Sequence, residues 1–76
     1  MTVSIYTKKS CSFCDKAKTL LNNFNIEFTE YCIGENVTRE EVVAMFPGVN
    51  YVPILVMEDG RQVNGATELE LLLEGK

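Results

Sequence analysis

The order of secondary-structure patterns along the first 32 residues constrains the fold more than any other feature. Residues 2–7 are rich in β-branched and aromatic side chains, which is typical of a buried strand. Residues 12–24 carry apolar side chains at three- and four-residue steps, as a helix does, and residues 26–32 alternate as a second strand. A strand, a helix and a strand in succession predict a parallel pair joined by a right-handed crossover.

Two capping-box patterns predict where the later helices begin. Residues 38–41 and 67–70 each place a threonine three residues before a glutamate, so that each side chain satisfies a free backbone N–H of the other residue. The Pro47-Gly48 pair predicts the end of the first of these helices. The expected inward-facing side chains are Val42, Met45 and Phe46 in one helix and Leu69, Leu72 and Leu73 in the other.

A β-hairpin completes the predicted sheet. Asp59-Gly60 is a strong hairpin turn signal between strand patterns over residues 54–57 and 61–63. The predicted order is therefore β-α-β-α-β-β-α, an α/β fold whose four-stranded mixed sheet has helices on both faces. A chain of 76 residues is expected to form a single domain over residues 1–76.

The charges are unevenly distributed. Four lysines stand against one aspartate in residues 1–26, a balance of +3, whereas three bases stand against ten acids in residues 27–76, a balance of −7. The acidic total argues against nucleic-acid binding, which needs a clustered basic face. No apolar run approaches the roughly 18 residues of a membrane-spanning helix, and the first residues do not resemble a secretory signal. We expect a reducing, cytoplasmic compartment.

The cysteines favour redox chemistry. Three cysteines without a histidine suit neither a disulfide scaffold nor a closed four-ligand zinc site. Cys11 and Cys14 flank Ser12 and Phe13 at the predicted junction of the first strand and helix, where free backbone N–H groups favour an anion. We therefore expect Cys11 to be the ionised nucleophile and the deeper Cys14 to be the resolving thiol. Half of a metal site and two unrelated buried cysteines are the alternatives.

The third cysteine, Cys32, is expected to pack as a small apolar side chain, with an oxidation-sensitive thiol as the alternative. Val52-Pro53 precedes the third strand, and spacing alone leaves a cis and a trans peptide bond equally open. A cis bond would leave the Val52 backbone free to pair with an extended peptide. Gly65 suggests a tight turn, and Thr67 a helix start that either binds a carboxylate or is merely capped.

Taken together, these motifs resemble the glutaredoxins of the thioredoxin-like superfamily from Val3 to Leu73. The resemblance rests on Lys8 ahead of the Cys11-Cys14 motif, on Val52-Pro53, and on residues 64–67. It implies a glutathione site at the nucleophilic cysteine. The implied contacts are Lys8 with the glycine carboxylate, Val52 with the cysteinyl backbone ahead of a cis Pro53, and Thr67 with the γ-glutamyl carboxylate. Phe13 would form an apolar wall, and Gly65 is expected to belong to the same glutathione site.

The function implied by this resemblance is glutathione-dependent reduction of protein disulfides and glutathione mixed disulfides by a monomer. Glutathione would be the reductant, no metal is expected, and disulfide-containing proteins would be the clients, with ribonucleotide reductase among them by family analogy. Ser12 and Phe13 replace the proline and tyrosine that are commonest in the family. The alternatives are a redoxin fed by thioredoxin reductase, an iron–sulfur cluster carrier and a zinc-binding interaction module.

Overall fold

A computed structural model describes residues 2–49 and 51–75 of the chain. The helices and strands follow the predicted order: β1 (Val3–Thr7), α1 (Ser12–Asn23), β2 (Phe28–Cys32), α2 (Arg39–Met45), β3 (Ile54–Val56), β4 (Gln62–Asn64) and α3 (Ala66–Glu70). One π-helical turn over Leu71–Gly75 continues α3. Within the described residues, no helix is long and apolar enough to cross a membrane.

The four strands form one mixed sheet in the order β2-β1-β3-β4. β1 runs parallel to β2, with Val3 opposite Phe28, and antiparallel to β3, with Ile5 opposite Leu55. β3 and β4 form the predicted antiparallel hairpin. The parallel pair places the carboxyl ends of β1 and β2 at one edge of the sheet, next to the start of α1.

Two core clusters lie on opposite faces of the sheet, because neighbouring residues of a strand point to opposite faces. The larger cluster packs α1 and α3 against the sheet and consists of Val3, Ile5, Ala17, Leu20, Leu21, Leu55, Val63, Ala66 and Leu69. The smaller cluster packs α2 against the other face and consists of Val42, Phe46 and Ile54. The predicted four-stranded sheet with helices on both faces is therefore confirmed.

The capping box at α2 is present as predicted. The Thr38 Oγ1 accepts the Glu41 N–H at 3.1 Å, and the Glu41 Oε1 accepts the Thr38 N–H at 2.8 Å. The prediction that Met45 faces inward is wrong, since its side chain is 48% exposed. Only Val42 and Phe46, four residues apart, lie on the face that this short helix turns to the sheet.

The second predicted capping box, over residues 67–70, is wrong. The last helix begins at Ala66 with Gly65 as its N-cap, and no side chain caps it. Ala66 is buried in the larger cluster, so packing starts the helix one residue before Thr67, which is exposed. Leu69 is buried as predicted and Leu73 is partly buried, but Leu72 is exposed.

The bounds of all four strands also differ from the predictions by one or two residues. β4 begins at Gln62 because the Asp59 side chain accepts the Arg61 N–H at 2.9 Å, which keeps Arg61 in the turn. β2 begins at Phe28, and Ile26 instead donates its N–H to the Leu21 carbonyl at the end of α1.

A polar group bridges β1, β2 and α1 close to the start of α1. The wholly buried Thr7 donates its hydroxyl to Glu30 Oε2 at 2.7 Å, and the Lys18 Nζ donates to the same oxygen at 3.1 Å. The Thr7 hydrogen bond and then Lys18 hold the pKa of Glu30 below its ordinary value. The hydrogen bond to Glu30 in turn raises the pKa of Lys18.

Thr7→Val is expected to lower the free energy of unfolding by about 1 kcal/mol at neutral pH, because a hydrogen bond to a charged group is lost. A carboxyl with a depressed pKa stabilises the fold above its unfolded-state pKa, and this stabilisation is lost as pH falls through its folded-state pKa. The difference between wild type and Thr7→Val should therefore shrink between neutral pH and about pH 3. Urea unfolding at both pH values measures it, and a difference that stays constant with pH would contradict the assignment to Glu30.

Candidate active site

Cys11 is the N-cap residue of α1. Its backbone is extended, with φ −115° and ψ 107°, and its Sγ accepts the Cys14 N–H at 3.2 Å. A sulfur in this place replaces the usual capping oxygen and lies against free N–H groups and the positive end of the helix dipole. Cys11 is therefore the cysteine whose sulfur lies within reach of backbone N–H donors at the helix start.

Cys14 lies one turn further along α1, on the face that packs against the sheet, and only 1% of its surface is exposed. Burial, followed by the contact with the Cys11 sulfur, raises the pKa of Cys14 to about 12, although the Lys8 backbone N–H acts in the opposite direction. The two cysteines therefore differ in their surroundings: Cys11 is partly exposed at the helix start, whereas Cys14 is buried. Both are free thiols in this structure, as is Cys32.

The Val52-Pro53 peptide bond is cis, which resolves the choice that spacing left open. The half-buried Val52 places its carbonyl oxygen 4.0 Å from the Cys11 Sγ. The Pro53 carbonyl accepts the Gly65 N–H at 2.8 Å, and Gly65 has a φ of 96°, a conformation that favours glycine. This hydrogen bond joins the loop before β3 to the turn before α3.

A pocket of about 350 Å³ opens beside Val52, between α2 and β3. Its lining residues are Lys8, Ile33, Arg39, Val42, Val43, Val49, Tyr51, Val52 and Ile54. Sequence reasoning placed Lys8 and Val52 here but missed Arg39. The predicted capping box could have revealed it, because Thr38 at the N-cap makes Arg39 the first residue of α2. Lys8 directly follows β1 and lines the same pocket.

Pocket size alone does not identify the site. A larger, more open depression of about 580 Å³ lies at the other end of β1 and is lined by Thr2, Asn22, Asn25, Ile26, Glu27, Phe28 and Thr29. It contains no nucleophilic sulfur. We therefore place the candidate site at the smaller pocket, which Val52 connects to Cys11.

The structure brings most of the predicted site residues together, but Phe13 and Thr67 lie at the periphery of the site. Lys8, Cys11, Cys14, Val52, Pro53 and Gly65 form one continuous set through the contacts described above. Phe13 is 59% exposed beside Cys11. Thr67 is exposed in the first turn of α3 and joins the set only through Gly65, two residues earlier.

The predicted positive charge near the cysteines is partly neutralised by acids from elsewhere in the chain. Lys9 pairs with Glu35 at 3.3 Å, and Lys16 pairs with Glu70 at 3.2 Å. Within residues 2–49 and 51–75, Lys8 and Arg39 form no ion pair with a carboxylate. In the part of the chain that the structure describes, both of these unpaired cations line the pocket beside Val52.

Cys32 is only partly buried, so the prediction that it packs as a small core side chain is not met. Its thiol lies 3.8 Å from the Ile33 carbonyl, at the end of β2. It lines a polar cleft that also contains Lys8, Lys9 and Glu35. Within the described ranges, this cleft included, no three His, Cys, Asp or Glu side chains come together as a group able to hold a metal ion.

Comparison with known proteins identifies the family of this sequence. The sequence matches the glutaredoxin family profile over residues 3–63. It is 35% identical over 71 residues to a probable glutaredoxin of Synechocystis sp., covering 92% of this chain and 80% of the relative. It is 28% identical over 69 residues to the N-acetyl-S-hydroxy-L-cysteine reductase of Bacillus subtilis, covering 91% of this chain and 74% of that protein.

A solved glutaredoxin structure has a similar fold. The crystal structure of glutaredoxin 1 from Francisella tularensis, complexed with cacodylate, superposes with a TM-score of 0.80 at 26% identity, covering 96% of this chain and 92% of the other. The thioredoxin-like fold predicted from the motifs is therefore confirmed. Because the family profile spans most of the sequence and a relative with 35% identity is matched over most of its length, the chain belongs to the glutaredoxin family.

Proposed function

We propose that this protein is a glutathione-dependent oxidoreductase that reduces protein disulfides and glutathione mixed disulfides. Membership of the glutaredoxin family implies thiol oxidoreductase activity. The observation that carries the proposal is the Cys11 sulfur, which caps α1 at 3.2 Å from the Cys14 N–H while the Cys14 thiol is buried behind it. The Cys11 sulfur would attack the substrate first, and the Cys14 sulfur would react only in the second step.

The proposed reaction has two steps. The Cys11 thiolate attacks one sulfur of a disulfide, a bond forms between them, and the other sulfur leaves as a thiolate. Cys14 then gives up its proton and attacks the Cys11 sulfur, so that the client is released reduced and a Cys11–Cys14 disulfide remains. Two molecules of glutathione reduce that disulfide and become glutathione disulfide. With a glutathione mixed disulfide as substrate, a second glutathione can replace Cys14 in the resolving step.

The charges and open backbone around Cys11 suit a tripeptide with two carboxylates. Lys8 and Arg39 meet in the pocket beside Val52 and supply charge for the glycine carboxylate. Val52 would pair with the cysteinyl backbone ahead of the cis Pro53. Gly65 and Thr67, at the start of α3, would receive the γ-glutamyl carboxylate, and Phe13 would form an apolar wall.

Replacing both pocket cations, as Lys8→Gln with Arg39→Gln, is expected to raise KM for a glutathionylated peptide about tenfold, since a charge-assisted contact is worth about 1.5 kcal/mol. The kcat should change little, because the two sulfurs are untouched. The measurement is steady-state reduction of the peptide with glutathione in excess. Arg61→Gln is the matched control, because Arg61 pairs with Asp59 in the β3–β4 turn. Equal KM values in the double variant and the control would contradict the proposed glutathione site.

A second candidate function is the reduction of a sulfenic acid on an N-acetylated cysteine. It is favoured by the Bacillus subtilis relative and by the position of Lys8 and Arg39 at one pocket, which suits a ligand with one carboxylate. The Cys11 thiolate would attack the sulfenic sulfur, an S–S bond would form as the S–O bond breaks, and the hydroxide would be protonated to water. Cys14 or glutathione would then attack the Cys11 sulfur and release the substrate as a thiol. The same assay with N-acetylcysteine sulfenate as substrate distinguishes the two candidates by their kcat/KM values.

The electron source and partners complete the proposal. Glutathione is the proposed reductant, and disulfide-containing proteins, with ribonucleotide reductase among them, are the proposed clients of a monomer acting in the cytoplasm. Reduction by glutathione and by thioredoxin reductase, measured side by side, identifies the electron source. A coloured dimer after anaerobic purification would instead favour an iron–sulfur cluster carrier.

A further inference from the structure

The resolving step raises a difficulty that the two cysteines alone do not solve. The Cys14 thiol must lose its proton to attack, yet it is buried in the core face of α1, where charge is disfavoured. When Cys11 forms a mixed disulfide, its sulfur no longer carries a charge that opposes ionisation of Cys14. The burial of Cys14 still opposes it. A positive charge fixed near Cys14 would lower the free energy of the thiolate as it forms.

Lys18 occupies such a place. It lies four residues after Cys14 on α1, so the two side chains share one face of the helix about one turn apart. Its side chain is 29% exposed, less than the side chains of Lys9 and Lys16. Its ammonium group acts on Cys14 in the direction that lowers the pKa of the thiol.

The neighbours of Lys18 hold it in this position. Glu30 from β2 accepts its ammonium group at 3.1 Å, and Asp15 from α1 lies 3.7 Å away. Thr7, wholly buried in β1, fixes the same Glu30 oxygen through a hydrogen bond of 2.7 Å. Residues from α1, β1 and β2 thus orient Lys18. A solvent-exposed ion pair involves only its two partners.

The other lysines around the start of α1 do not place an ammonium group near Cys14 as Lys18 does. The cleft on this side is lined by Lys8, Lys9, Ser10, Asp15, Lys18, Glu30, Cys32, Glu35 and Asn36. Lys8 reaches Cys14 through its backbone N–H, and Lys9 is paired with Glu35 on the surface. On the side of α3, Lys16 is paired with Glu70. Exposed pairs of this kind are strongly screened by water.

We propose that Lys18, held by Glu30 and Thr7, is a positioning residue that stabilises the Cys14 thiolate during the resolving step. This inference rests on the proposed function, in which Cys14 attacks the Cys11 mixed disulfide. In that step the Cys14 proton passes to water, the bond between Cys11 and the client breaks, and the Cys11–Cys14 bond forms. Lys18 keeps its own proton throughout, because its pKa is raised by Glu30.

Stopped-flow reaction with dithiobis(nitrobenzoate) separates this step from the first attack. All proteins carry Cys32→Ser, so that only the two active-site sulfurs react. Attack by Cys11 releases one coloured thiolate in a phase that depends on reagent concentration. Attack by Cys14 on the resulting mixed disulfide releases a second in a phase that does not.

Lys18→Gln is expected to slow the second phase about tenfold at neutral pH, because losing the ammonium group raises the pKa of Cys14 and leaves less of the reactive thiolate. The rate of wild type should be recovered about one pH unit higher. Lys18→Arg should restore most of the rate, and the first phase should be unchanged. The matched control is Lys16→Gln, which removes another paired lysine from α1 and should leave both phases within about twofold of wild type.

Equal second-phase rates in Lys18→Gln and Lys16→Gln would overturn the inference, as would a slower rate in Lys18→Gln without a shift of its pH profile. Failure of the proposed function gives a different result. If wild type showed no second phase, or if Cys14→Ser kept it, Cys14 would not be the resolving thiol at all. Circular dichroism of each variant confirms that the compared proteins are folded.

Discussion

Cys11→Ser is expected to reduce turnover with every disulfide substrate by roughly three orders of magnitude or more, while the protein remains folded. Serine keeps a hydroxyl where the sulfur was, but a hydroxyl is far less acidic than a thiol and does not form a disulfide. Serine is also a preferred N-cap residue, and its Oγ can accept the Cys14 N–H as the Cys11 sulfur does. The free energy of unfolding should therefore stay within about 1 kcal/mol of wild type.

This combination of lost activity and retained stability separates a catalytic role from a structural one. Activity is measured with a glutathionylated peptide and with a protein disulfide, and stability by urea unfolding. Cys32→Ser is the matched control, because Cys32 is also partly exposed but lies at the end of β2, and it should retain wild-type turnover. Residual turnover by Cys11→Ser above a few per cent, or an equal loss in Cys32→Ser, would contradict the assignment of the nucleophile.

The two capping-box patterns show how far local sequence reasoning extends. Both have a threonine three residues before a glutamate, yet only Thr38 caps a helix. Thr38 follows a loop and is free to adopt the extended backbone that a cap needs. Thr67 follows Ala66, which the core cluster buries as the first residue of α3, so tertiary packing decides where that helix begins. The pattern predicted the helix correctly but not its first residue.

Residues whose environment comes from distant parts of the chain were the hardest to predict. The sheet and the place of Cys11 followed from periodicity, because a strand, a helix and a strand leave few arrangements. Arg39 is 31 residues from Lys8 in sequence, and only the position of α2 against the sheet brings both to one pocket. The cis bond before Pro53 was likewise undetermined by spacing. Pairing of Lys9 and Lys16 with acids from later segments was not predicted from the local charge balance either.

Removing the second cysteine is expected to separate two activities that wild type combines. Cys14→Ser should lose nearly all reduction of protein disulfides, because the mixed disulfide on Cys11 no longer has an internal thiol to resolve it. It should keep reduction of glutathione mixed disulfides within about tenfold of wild type, since glutathione from solution reaches the partly exposed Cys11. The backbone N–H of residue 14 remains, so its hydrogen bond to the Cys11 sulfur is retained.

The test requires two substrates, a trapped intermediate and a companion variant. Mass spectrometry of Cys14→Ser after reaction with a protein disulfide should show the client bound to Cys11. Serine places a hydroxyl in a buried site at an expected cost of about 1–3 kcal/mol, so Cys14→Ala is measured beside it to avoid burying a polar group. If both variants stay folded and lose the two activities equally, Cys14 does not resolve the mixed disulfide. In that case its burial behind Cys11 serves the packing of α1 against the sheet.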